Sequence, residues 1–373
     1  MFFTPSQEHY IGFTAHYLDR QFEMKSVVLE VRKYSERQTI DNLAPYLRQR
    51  VARYFPEKGP LIVSVTIDGA KNYQGAVRDF VGTLERIWCI DHLLNLAGKD
   101  TAAEVLWKDD ITSLRRLQNF VIGHLQVLRR FQSACITLLG RQYEFVPEAE
   151  TRWLYFGDTL DRVVLVFPAL NELFEEGLFK ADPDTQEFMA SQPLGKLKLM
   201  AACVAIVREM LLKCEARNEI TAPFVPLWLN KVYNRLSRRL DKLPLDSSLR
   251  QYPLTLLEQL HNRMDYIYNV VNPMLMACAL HPKTYELAFC SDTVKTDVYN
   301  YVIRTVGIIT GCPDLFREQL LSGIHAEMAA WGTRYPAMLG DPDCARLFWC
   351  NLSNGTTYLC CLSVTIASVI VDP

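Results

Sequence analysis

Paired cysteine spacing is missing from this chain. Eleven cysteines occur in 373 residues, yet none falls into a C-x-x-C pair, which argues against a zinc ribbon or a disulfide scaffold. The thiols read as reduced, in an intracellular protein. A surplus of positive charge is missing as well: 40 Lys and Arg against 42 Asp and Glu leave a formal net charge of −2. That excludes a global pull toward nucleic acid, so any nucleic-acid face has to be local. The first residues lack the basic and small-residue flanks of a signal peptide. The uncharged run at 358–371 is too short for a membrane span, so no membrane partner is expected. No repeat at a fixed period appears, which argues against a solenoid. What is present is ordinary folded-protein composition, 49% hydrophobic and 22% charged, in a chain long enough for a large core and two subdomains.

Residues 61–96 organise the rest. Residues 61–67, an apolar β-branched run after Gly59-Pro60, read as a strand buried on both faces. The strand delivers Asp68 at its carboxyl end, after which Gly69, Ala70 and Asn72 open a helical pattern. Open α/β sheets place their chemistry at such a position; equally, an Asp there caps the following helix. A second short strand, Ile87-Trp88-Cys89, runs through Ile90, Asp91 and His92 into a helix. Cys89 and His92 also have the look of half a zinc site, but zinc needs four ligands and no second pair is visible; a structural role at the strand-to-helix junction is preferred.

Upstream, residues 10–18 alternate in polarity and 24–31 are β-rich, which predicts a hairpin turning at Asp19-Arg20. Residues 35–54 follow as a helix with Ile40, Leu43, Leu47 and Val51 inward. Its other face carries Arg48, Arg50 and Arg53, best read as solvated. Beyond Leu106 the pattern turns helical: 111–140, 162–179, 194–217, 226–243, 254–280, 292–309 and 315–331, with 358–371 as a buried core helix. Basic clusters at Arg115-Arg116, Arg129-Arg130 and Arg235 with Arg238-Arg239 are candidate phosphate contacts or solvated faces.

Two blocks, Thr66-Ile67-Asp68-Gly69-Ala70-Lys71-Asn72 and Cys89-Ile90-Asp91-His92-Leu93-Leu94-Asn95-Leu96, stand in the order and at the separation of the T-D-N-x-x-N and C-x-x-H-x-L-N-L motifs of hAT-family transposases. The chain thus resembles those DNA-cutting enzymes, with an extra Ile67 and with Gly69 where the family usually has Asn. Residues 9–17 are similar to the family's Y-x-x-x-T-A-H hairpin, and Thr151-Arg152-Trp153 matches its T-R-W motif. Ala279-Leu280-His281-Pro282-Lys283 is similar to its L-D-P segment, with His281 in place of Asp.

The resemblance implies an α/β plus all-α protein, an incomplete RNase H-like sheet interrupted by a large helical insertion domain. The boundaries expected are 1–107 for the core, 108–314 for the insertion and 315–373 for helices returning to the core. It implies that Asp68 is a remnant of three catalytic carboxylates holding two Mg²⁺ or Mn²⁺ ions in an intact homologue. Asn72, Cys89 and His92 would stand near that active site. Arg152 and Trp153 would contact DNA, the guanidinium meeting a phosphate and the indole stacking on an unpaired base. The segments that would supply the other two carboxylates, and a BED-type zinc finger, are expected to be cut off at the two ends, leaving the first core strand missing. The slot left should stay vacant, be closed by rearranged pairing, or be filled by another segment. The expectation is therefore a nuclear, transposase-derived protein that binds DNA or protein, with no cofactor of its own, dimerisation incomplete and cutting lost. An active transposase read from a truncated gene model, and an unrelated helical scaffold, are the alternatives.

Overall fold

The computed structural model describes residues 2–3, 9–18, 24–54, 64–67, 72–73, 75–76, 85–146, 156–215, 221–269, 271–310, 318–340 and 369–370. The chain divides into two compact units: Met1–His92, Cys214–Asn230 and Tyr266–Pro373 form one, Leu93–Lys213 and Lys231–Asp265 the other. Helix predominates, with two small three-stranded sheets among the described residues.

In the first unit, β1 (Phe2–Phe3), β2 (His9–Leu18) and β3 (Met24–Lys33) form an antiparallel meander. The alternation at 10–18 does what its period predicts: Ile11, Phe13 and Ala15 are buried while Tyr10, Gly12 and Thr14 are only partly so. Register shifts between Phe13 and Thr14, making Leu29 the extra residue of a β-bulge on β3. Helix α1 (Ile40–Tyr54) buries Leu43, Ala44 and Leu47 against Ile11, Phe13 and Tyr34. That core also takes in Ile67, the last residue of β4 (Ser64–Ile67), and Ala76.

Strand β4 pairs in parallel with β5 (Glu85–Trp88), from Ser64 opposite Glu85 to Ile67 opposite Trp88. On its other side β4 pairs in parallel with Val369–Ile370, here β6. Those two residues are therefore extended, a correction to the helix expected over 358–371; both are β-branched, which favours a pleated strand. The remaining residues of that stretch lie outside the described ones. Strand β6 lies alongside β4, while the hairpin pairs with β1 in a separate sheet.

From β5 the chain enters α2 (Ile90–Ala103), then α3 (Val105–Gly123) and α4 (Leu125–Leu139). The single helix expected over 111–140 is broken at His124, whose backbone is extended. Gly123, a weak helix former, precedes the break, and the His124 ring bonds the Phe120 carbonyl at 2.8 Å. Helices α5 (Phe156–Glu175), α6 (Pro183–Ala190), α7 (Leu194–Cys214), α8 (Val225–Asp241) and α9 (Gln251–Met264) follow.

The helix expected over 254–280 is also broken, into α9, a 3₁₀ turn and α10 (Pro273–Ala279). Pro273 disfavours helical backbone in the residue before it. That residue, Asn272, is extended and accepts the Met274 amide at 2.8 Å as an N-cap. Helices α11 (Asp292–Thr310) and α12 (Glu318–Arg334) pack on α10 around Leu275, Cys278, Leu287, Val298, Val302 and Ile324. No described helix is long and apolar enough to cross a membrane.

Candidate functional site

Two paired strands end side by side at the two motif blocks. The Cys89 amide donates to the Ile67 carbonyl at 2.8 Å, extending the β4–β5 pairing by one bond beyond Trp88. Helix α2 starts in the next residue, so Asp91 and His92 occupy its first turn. Cys89, Asp91 and His92 are half-buried, and Ile90, Leu93 and Leu94 anchor the turn in apolar surroundings. An acid in that turn suits the positive end of a helix. The Trp88 ring meets the Tyr266 ring edge-on at 6.4 Å, and burial pushes the Tyr266 phenol well up.

Asn72 is placed differently. Its side-chain amide donates to the Gln38 carbonyl at 2.6 Å, tying the segment after β4 to the approach to α1. The same segment runs close to α1 at Gly75, where an added Cβ would come within 2.4 Å of Ile40 Cδ1. The structure thus joins Cys89 to β4 and Asn72 to α1. Asp68, Arg152 and Trp153 lie outside the described residues, as does the side chain of His16. Among the described residues no three His, Cys, Asp or Glu side chains gather as ligands for a metal.

His281 is a structural residue. It is 4% exposed, its Nδ1 accepts the Lys283 amide at 3.1 Å, and it sits edge-on to Phe224 at 4.7 Å. Burial first, then the Lys283 charge, push its pKa down to about 3, so it is neutral. It holds a turn.

Several arginines considered as phosphate contacts already have partners. Arg116 Nε reaches both oxygens of Asp182 at 3.0 and 2.9 Å, and its Nη1 reaches Asp184. Arg130 Nε spans Glu176 at 3.0 and 2.9 Å and Nη2 meets Glu172. Arg235 pairs with Glu209, whose other oxygen takes Lys213 at 2.8 Å. These are ties between helices, an ordinary structural use of an arginine fork.

A feature missed from sequence lies in the second unit. Asp110, 6% exposed, accepts from Lys196 Nζ and from the Tyr252 hydroxyl, with the Trp107 ring 5.4 Å from that of Tyr252. A signal existed: Asp110 stands on the apolar stripe of Trp107, Ile111, Leu114 and Leu117. An acid on such a stripe has to be paired to be buried.

No protein-family model matches the chain, and no curated protein matches it.

Proposed function

We propose that the chain is derived from a hAT-family transposase, with an RNase H-like core, and that it binds DNA in the nucleus. The observation that carries this reading is the bond between Cys89 and Ile67, because it brings the two motif blocks to one end of one parallel strand pair. Binding is the activity proposed because Arg152 and Trp153 are residue types that meet a phosphate and stack on an unpaired base. Asp68 by itself should hold Mg²⁺ no better than an ordinary surface carboxylate, since hard cations need several oxygens in fixed geometry.

The test falls on Trp153. In this reading Trp153→Ala weakens binding to hairpin or single-stranded DNA by about 1–3 kcal/mol, the stacking contribution of one base. A variant that melts earlier while its folded fraction binds DNA as before would make Trp153 a core residue and remove this support.

A second reading, a helical scaffold, draws on the ion pairs of Arg116, Arg130 and Arg235, which spend their charge inside the protein. It expects no affinity for DNA at any salt concentration.

A further inference from the structure

One helix leaves all but one of its basic side chains without an ion pair among the described residues. Val225, Leu229, Val232 and Leu236 of α8 are buried at helical spacing. Lys231, Arg235, Arg238 and, just past the helix end, Lys242 recur at four-, three- and four-residue steps. That recurrence puts them in one row along the helix. All four are exposed, and exposed Arg239 lies beside the row. Over eleven residues the row extends roughly 16 Å, at 1.5 Å per residue.

Most arginines elsewhere in the second unit have a structural partner. Arg116, Arg130, Arg208 and Arg263 pair with acids. Arg250 Nη1 meets the Leu240 and Leu243 carbonyls at 2.8 and 2.9 Å, so the carbonyl end of α8 already has its cation. Among the described residues, Lys231, Arg238, Arg239 and Lys242 make no ion pair. Arg235 extends the row to Glu209 and Lys213 on α7, and that one carboxylate, held down to about 2 by Lys213 and Arg235, is shared between two cations. The surface is thus locally basic in a chain whose net charge is −2.

We propose that this face of α8 is a docking surface for the phosphodiester backbone of duplex DNA, a placement that rests on the DNA-binding reading above. A straight cationic row suits a polyanion better than a single phosphate. DNA presents a phosphate every 3.4 Å or so along each strand, so roughly 16 Å spans about five. The contacts would be to backbone, so the surface would set affinity and leave sequence unread.

The experiment titrates a fluorescent 30-base-pair duplex with the full chain across a salt series. Three proteins are compared: native, a quadruple variant with Lys231→Gln, Arg238→Gln, Arg239→Gln and Lys242→Gln, and a control with Lys99→Gln, Lys108→Gln, Lys198→Gln and Arg304→Gln. The control changes net charge equally at exposed sites on other helices. The expected result is that the α8 variant melts as the native protein does but loses affinity and flattens the log K against log salt slope. The flattening should be about 0.9 for each contact removed, about 3–4 in all. The control should keep the native slope. Equal weakening by the control would overturn the proposal, because binding would then follow net charge. An unaltered α8 variant beside a native protein that binds would overturn the placement and leave the DNA-binding reading standing. A native chain that does not bind would overturn both.

Discussion

The backbone amide of Cys89 donates to the carbonyl of Ile67 at 2.8 Å, so the residue just after β5 is fastened to the residue that ends β4. The side chain of Cys89 takes no part in that bond. Whatever the junction does, it is built first by backbone pairing and only then decorated by the side chains of the motif.

A pair of substitutions separates backbone from side chain. Cys89→Ala keeps the amide and should cost less than about 1 kcal/mol, since Cys89 is only half-buried. Cys89→Pro removes the donor and leaves the Ile67 carbonyl without it, at about 1–3 kcal/mol from that loss alone. Urea denaturation gives both values; equal costs would mean that the thiol, not the strand pairing, matters there.

The Asp110 network should behave as a buried charge cluster. Asp110→Ala leaves Lys196 and Tyr252 facing an empty site and should cost about 3–5 kcal/mol, as breaking one partner of a buried pair does. Tyr252→Phe removes one hydroxyl donor and should cost about 1 kcal/mol. The order is the prediction: a Tyr252→Phe cost above that of Asp110→Ala would show that the carboxylate is not the hub.

Acid should weaken the first unit through His281. The folded protein keeps this imidazole neutral down to about pH 3, whereas the unfolded chain protonates it near its ordinary value of 6.5. Below 6.5 the unfolded state therefore binds the extra proton, and stability falls as pH falls through that window. The loss is at most about 1.4 kcal/mol per pH unit. His325, whose pKa burial also lowers, adds in the same direction. His281→Asn should flatten the dependence of the melting temperature on pH between 6.5 and 4, with the His325 share remaining. An unchanged slope would place the acid sensitivity elsewhere.

Much of this was legible in the sequence where a pattern had one physical solution. The alternation at residues 10–18 can bury Ile11, Phe13 and Ala15 only as a strand, and the hairpin forms as expected. The spacing of Leu43 and Leu47 likewise fixes α1. Breaks were harder. Periodicity ran on through His124 and through Asn272-Pro273, because the apolar stripe continues while the backbone turns. The Asn-Pro pair carried the stop signal; Gly123-His124 carried a weaker one. Pairing partners were not legible at all. Nothing in a one-dimensional pattern says that Arg116 faces Asp182, or that Tyr252 closes on Asp110 from 142 residues away. Of the site, the sequence offered six residues. The structure describes Asn72, Cys89 and His92, while Asp68, Arg152 and Trp153 lie outside the described residues.

The most direct measurement is a titration of labelled hairpin DNA with the purified chain in Mg²⁺, read at once for binding by anisotropy and for strand cutting on a denaturing gel. The account predicts binding that weakens steeply as salt rises, and an intact DNA strand at every protein concentration. Cutting that Asp68→Asn abolishes would contradict the binding-only claim, and the absence of binding even at low salt would contradict the account as a whole.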